Sequence, residues 1–149
     1  MGRKILFYRV NEPYGFLSNF APYPITLDGK VWPTSEHYFQ AQKFAGTKHA
    51  EVVRRAGSPM EAARLGRERT RPLRPDWNRV RDAVMRPAVR AKFTQHPELR
   101  DALLATGTAT LVEHTDNDAY WADGGDGSGR NRLGQILMEI RAEFLSGET

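Results

Sequence analysis

The stretch Thr34-Ser-Glu-His-Tyr-Phe-Gln-Ala-Gln-Lys-Phe44 constrains this chain more than any other. Pro33 suits the start of a helix, and Thr34 or Ser35 supplies a hydroxyl that accepts from an otherwise unpaired first-turn N–H. At about 100° of rotation per residue, Glu36, Gln40 and Lys43 share one stripe. Tyr38, Ala41, Gln42 and Ala45 lie opposite, while Phe39 and Phe44 flank the stripe. Two structures answer this pattern. One is an amphipathic helix with Glu36 and Lys43 in water; the other is a buried helix whose narrow polar stripe faces a cavity. A solvated face seldom carries so many aromatics beside its charges, yet the pattern alone leaves both open.

At 149 residues the chain is long enough for a core of its own and is read as one domain, 1–149. It has no cysteine, which excludes disulfides and thiolate metal sites. Its four histidines, at 37, 49, 96 and 114, are scattered, so no metal site is expected. No apolar run approaches the roughly 18 residues of a membrane span, and there is no signal-peptide core. A cytoplasmic protein with no membrane partner is therefore expected. Of a formal net charge of +4, residues 51–92 hold an excess of +7, eleven Arg and one Lys against five acids. That excess suits nucleic acid or a phosphorylated ligand, and it equally suits solvated helix faces.

In chain order, Lys4–Val10 alternates as a first strand. Asn11–Ala21 is a loop whose Tyr14, Phe16, Leu17 and Phe20 must pack back on the body; it either presents Ser18 and Asn19 inward or uses them to tie up backbone groups. Ile25–Trp32 is a β-hairpin with Asp28-Gly29 at a type I′ turn. A short helix is expected over His49–Ala56. Ser58-Pro-Met-Glu61 is a capping box opening a helix to about Arg69. Asp76 caps a long helix from Trp77 to about Phe93, with Val80, Ala83, Val84, Ala88 and Ala91 on its apolar side and a kink imposed by Pro87. Pro97–Ala105 is another helix, and Thr108–Glu113 is β-prone. Asn131 is a good N-cap for a last helix with Leu133, Ile136, Leu137, Ile140 and Phe144 on one face.

Before that helix, Asp116–Arg130 carries Gly124, Gly125, Gly127 and Gly129 around Asp123 and Asp126. Bare N–H groups ahead of a helix N-terminus attract anions such as phosphate. The loop is neither a Walker A loop nor a dinucleotide fingerprint. Nor is it an EF-hand, because Tyr120 and Trp121 stand where a ligand and glycine belong. It is either a flexible linker or a binding loop in which the Trp121 indole stacks a planar base beside the Asp123 carboxylate. Trp121 and Trp77 each read as core anchor or ligand platform. Arg86 and Arg90 are spaced to clamp one phosphate, or simply lie on a solvated face. His37 and His114 read as structural. There is no Gly-x-Ser-x-Gly nucleophile elbow, whereas Glu36 and Asp123 leave two-carboxylate glycosidic chemistry open.

These residues carry a family. Gly15-Phe-Leu-Ser-Asn-Phe20, Trp32–Phe44, Asp76-Trp77 leading to Met85-Arg86, and Leu111-Val-Glu-His114 running into Trp121, Asp123, the glycines, Asn131, Leu133 and Gly134 together resemble the YbiA-like, or NADAR, family of N-glycosidases. The resemblance spans nearly the whole chain; one departure is Ala122, where many members have Gly. It implies a mainly α (α+β) fold, a compact multihelical single domain with a small N-terminal antiparallel β element. It implies cleavage of the bond between ribose C1 and a nitrogen, without metal or organic cofactor. Known substrates of such proteins are phosphoribosylamino-pyrimidine intermediates of riboflavin synthesis and ADP-ribose on guanine. The expected partners are thus a small ribosyl-phosphate or ADP-ribosyl molecule, or ADP-ribosylated nucleic acid, for a protein expected to be monomeric. Glu36, Lys43 and Asp123 correspond to the catalytic set. Ser18, Asn19, Phe20, Gln40, Trp77, Arg86, Trp121, Gly129 and Asn131 are the expected substrate-binding residues. The competing expectation is a non-catalytic ADP-ribose or nucleic-acid binding module that uses the Arg-rich middle.

Overall fold

The computed structural model describes residues 2–147. In chain order its elements are β1 (Lys4–Phe7), β2 (Ile25–Leu27), β3 (Lys30–Trp32), α1 (Ser35–Gln42), α2 (Lys48–Arg54), α3 (Pro59–Arg67), α4 (Trp77–Gln95), α5 (Pro97–Ala105), β4 (Thr110–Glu113) and α6 (Arg132–Ser146). This is the mainly α architecture with short strands that the sequence predicts. The chain forms two compact units, Met1–Ala21 with Phe93–Thr149, and Pro22–Lys92; the boundary falls inside α4.

In the unit 22–92, β2 and β3 pair antiparallel, Ile25 opposite Trp32, around Asp28 and Gly29 at φ 55° and 76°. These are the two positive dihedrals a type I′ turn needs. The Trp32 indole donates to the Leu27 carbonyl at 2.9 Å, and the Tyr38 hydroxyl donates to Asp28 Oδ2 at 2.8 Å, which fastens the hairpin to α1. Ile25, Trp32, Tyr38, Ala41, Phe44, Val53, Leu65, Ala88 and Ala91 join in one apolar core. Burial of each large side chain among them stabilises by about 1.5–3 kcal/mol.

Several helix ends follow from single hydroxyls. Thr34 Oγ1 accepts from the His37 N–H at 3.1 Å, and Thr47 from His49 at 3.2 Å. Ser58 accepts from Glu61 at 3.1 Å. Only half of the expected capping box forms there, because the Glu61 carboxylate turns to Arg64 instead. Along α4, Met85, Ala88, Val89 and Ala91 are buried but Ala83 is exposed, so the buried face is rotated from the expected one. The helix runs through Pro87.

In the other unit, β1 pairs in parallel with β4, Lys4 opposite Thr110 through Phe7 opposite Glu113. The first strand is shorter than the expected Lys4–Val10, because a turn follows it in which the Glu12 N–H donates to the Arg9 carbonyl at 3.2 Å. The predicted α6 stripe of Leu133, Ile136, Leu137, Ile140 and Phe144 is buried throughout. The Arg141 guanidinium, buried and pushed down by that burial, donates to Thr106 Oγ1 at 2.7 Å and to the Ala109 carbonyl at 2.8 Å. Among the described residues no helix is long and apolar enough to cross a membrane.

Candidate active site

The residues singled out by sequence fall into two clusters, one in each unit. The first is built on α1. Every residue from Ser35 to Ala41 is buried, so the solvated amphipathic helix is excluded. Glu36 and Lys43 are each 8% exposed and Gln40 6%. Gln40 Nε2 donates to Glu36 Oε2 at 2.7 Å, one helical turn apart, which orients the carboxylate. Gln40 Oε1 is buried without a hydrogen-bond partner, and it points at Gly66 on α3. A Cβ at position 66 would stand 1.9 Å from that oxygen, so only glycine admits the amide there.

Lys43 lies just beyond the last turn of α1. Its Nζ is 3.4 Å from the Gly66 carbonyl, 6.0 Å from the Phe39 ring centre and 5.8 Å from that of Trp77. Burial strips water from an ammonium; the two aromatic faces, themselves 5.1 Å apart between centroids, return part of that loss. Trp77 is 6% exposed and serves as the wall on which Lys43 rests. Arg74, which sequence reasoning passed over, closes the end of α1. Its N–H donates to the Lys43 carbonyl at 3.0 Å, its Nη1 to the Gln42 carbonyl at 3.3 Å, and its Nε to Asp76 Oδ1 at 2.6 Å. Arg86 stands half-buried on α4.

His37 belongs to the scaffold here, as expected. Its Nε2 lies 3.0 Å from the Ala56 carbonyl and must donate to it; Nδ1 then accepts from Thr34 Oγ1 at 2.8 Å. Burial pushes the ring's pKa down, against the raising effect of the Ala56 bond. The neutral imidazole thus links the α1 cap to the end of α2.

The second cluster lies in the other unit, around the Gly-rich loop. This loop is not a flexible linker. Backbone bonds cross it from Asn131 N to Ala122 O at 3.0 Å, Leu133 N to Trp121 O at 3.1 Å and Gly129 N to Asp123 O at 2.7 Å. At Gly129 a Cβ would meet the Ala122 oxygen at 2.5 Å, so this glycine is required for closure of the loop on itself. Asp118 Oδ1 accepts from the N–H of both Tyr120 and Trp121 at 2.8 Å, which presents the half-buried Trp121 with its ring edge-to-face on Tyr120.

Asp123 is buried, and its carboxylate is fully occupied on one side. Oδ1 accepts from Gly125 N at 2.8 Å and Thr115 N at 3.2 Å, and Oδ2 faces His114 Nδ1 at 2.7 Å. Burial alone pushes this acid up; the bonds from His114, Gly125 and Thr115 outweigh it and hold the acid below the ordinary carboxylate range. Asn131 departs from expectation. It sits at φ 51° and makes no side-chain cap. Instead its amide extends β4, accepting from Glu113 N at 3.0 Å and donating to the Leu111 carbonyl at 2.9 Å. In the loop before β2, Ser18 and Asn19 are buried and Phe20 half-buried, and Ser18 Oγ accepts from Phe20 N at 3.0 Å.

The NADAR domain profile matches residues 6–145 of this sequence. The chain belongs to the NADAR family. This NADAR chain is 62% identical to the N-glycosidase YbiA of Escherichia coli, over 94% of its own length and 88% of that protein's. It is 46% identical to the N-glycosidase Npun_R5314 of Nostoc punctiforme, over 94% and 92% of the two chains. It is 51% identical to the riboflavin biosynthesis protein VVA0006 of Vibrio vulnificus, over 97% of this chain but 39% of that longer one. Its fold matches the NMR structure of E. coli YbiA with a TM-score of 0.90 at 58% identity, covering 99% of this chain and 89% of the other.

Proposed function

We propose that this NADAR protein is an N-glycosidase that hydrolyses the ribose C1–N bond of a phosphoribosylated or ADP-ribosylated base. The carrying observation is the pairing, on one buried helix, of an oriented carboxylate, Glu36, with an aromatic-walled lysine, Lys43, in a chain so similar to proteins named N-glycosidases. A merely structural helix gains nothing from burying both, since each charge taken from water costs free energy.

The reaction adds water across C1–N: hydroxyl goes to C1 and a proton to the departing nitrogen. Glu36 moves that proton. Two routes then differ at Lys43. In one, the neutral amine adds to C1 of the opened ribose, the base leaves with a proton, and water cleaves the resulting Schiff base. In the other, Lys43 stays charged, neutralises phosphate, and water attacks directly. Asp123 is a poor base for that water, because its oxygens already accept from His114, Thr115 and Gly125. Its part is electrostatic, a fixed negative charge that favours the positive charge developing on ribose.

Purified protein incubated with ADP-ribosylated guanosine and, separately, with an aminopyrimidine ribosyl phosphate tests the reading by mass spectrometry. Release of free base from at least one is expected, and failure on both refutes it. Borohydride added during turnover separates the routes: an adduct on Lys43 marks the Schiff base. The non-catalytic alternative gains no support from the Arg-rich middle. There Glu51, Glu61, Glu68 and Asp76 already pair with Arg54, Arg64, Arg71 and Arg74, which leaves less free charge for phosphates.

A further inference from the structure

We propose that His114 is a positioning residue for the reaction, its Nδ1–H setting the rotation of the Asp123 carboxylate. This rests on the N-glycosidase reading above. An ionised carboxylate only accepts, so the 2.7 Å contact makes Nδ1 the protonated nitrogen. The other two donors, from Thr115 and Gly125, both converge on Oδ1. Oδ2 is held by His114 instead, and that bond fixes the carboxylate about its last torsion.

Both partners are pinned by their main chains. The His114 N–H donates to the Phe7 carbonyl and the Asp123 N–H to the Glu113 carbonyl, each at 2.9 Å, so ring and carboxylate are hung from the same end of β4. The ring is not core filling. The His114 side chain is 46% exposed, and it lines an open groove of about 640 Å³ with Tyr8, Arg9 and Asn117. A histidine kept for packing would be enclosed on all sides, as His37 is. Here one nitrogen is committed to Asp123 and nearly half of the side chain faces solvent. Such a side chain contributes orientation more than stability, and orientation matters most where charge develops in the transition state.

The test compares the full chain with His114→Leu, His114→Asn, His114→Gln and Asp123→Asn in steady-state hydrolysis, alongside thermal melts. Asn places an N–H where Nδ1 stands, whereas Gln places one where Nε2 stands. Expected is a fall in kcat of about 10- to 100-fold for His114→Leu, with KM changed by less than about threefold and melting within a few degrees of wild type. His114→Asn recovers most of the rate and His114→Gln does not. Unchanged kcat in His114→Leu, equal rescue by Gln and Asn, or full activity in Asp123→Asn overturns the inference while leaving the N-glycosidase reading intact. A wild-type protein inactive on every ribosyl substrate removes that reading and this inference with it. Should His114→Leu fail to fold, the Asn and Gln variants decide alone.

Discussion

Helix α1 and the loop from His114 to Asn131 hold their functional groups by different means. On α1 the helix backbone does the spacing. Glu36 and Gln40 meet at 2.7 Å because residues four apart share a face, and among the neighbours are uncharged groups, the Gly66 carbonyl and the Trp77 ring. In the loop there is no repeating backbone pattern. Beside the main-chain bonds that close it, position is set by side chains that accept from main-chain N–H groups: Asp118 for Tyr120 and Trp121, Asp123 for Thr115 and Gly125, Asp126 for Ser128. A helix keeps its spacing through most substitutions, although close packing, as at Gly66, limits which of them fit. A carboxylate-pinned loop depends on each charge.

The largest expected effect is on the helix. Glu36→Gln keeps the shape and the hydrogen bond from Gln40 but removes the titrating group. Hydrolysis should fall by about 10²- to 10⁴-fold, with stability altered by under about 1 kcal/mol. Steady-state rates and a denaturant melt check both; turnover near wild type takes Glu36 out of the mechanism. The loop counterpart is Trp121→Ala. Because Trp121 is only half-buried, its removal should cost less than the roughly 3–5 kcal/mol of a core Trp, while affinity falls by the ~1–3 kcal/mol of a lost stacking face. A large drop in melting temperature with unchanged affinity makes Trp121 an anchor of the loop instead of a platform.

This contrast also explains what the sequence could and could not reveal. The Glu36, Gln40 and Lys43 stripe was legible because a helix has a period, and the hairpin because Asp28-Gly29 has a conformational signature. Likewise Ser58 announced α3. Nothing local announces that β1 lies parallel to β4, since strands separated by more than a hundred residues share no turn. Asn131 misled for a physical reason. The same amide that caps helices can extend a strand, and its left-handed backbone turns it toward β4. Ala83 read as core only because apolar periodicity cannot fix which edge of a stripe meets its neighbour. His114 stood in a recognisable motif and read as structural, but its contact with Asp123 exists only once the loop has closed.

A smaller effect probes the helix through its neighbour. Gly66→Ala places a methyl 1.9 Å from Gln40 Oε1, and Gln40, 6% exposed, has little room to yield. The amide must leave Glu36. Alanine gains about 1 kcal/mol of helix propensity over glycine, and the lost charge-assisted hydrogen bond costs about 1.5–3 kcal/mol. Melting should therefore shift only a few degrees, whereas kcat should fall about tenfold as Glu36 loses its orientation. Loss of stability without loss of kcat per folded molecule would show that Gln40 does not orient Glu36.

The subtlest difference should appear in acid, without any mutation. Asp123 is held below its ordinary pKa by His114, Gly125 and Thr115, against the opposing push of burial. A carboxyl whose folded pKa is depressed stabilises the fold fully above its unfolded value, near about 3.9. That contribution is lost as pH falls through the lower folded value, because the unfolded state then binds more protons than the native one. Once protonated, Asp123 is a weaker acceptor for the Thr115 and Gly125 amides, and the loop loosens at these two bonds first. From Tyr38 on, the α1 amides are held by backbone carbonyls that do not titrate. Hydrogen exchange followed by mass spectrometry from pH 6 down to about pH 2, corrected for intrinsic rates, should show protection fading around 115–125 while 38–42 stays protected. Equal loss in both segments would mean that acid melts the chain as a whole, and that the Asp123 carboxylate does not govern the loop separately.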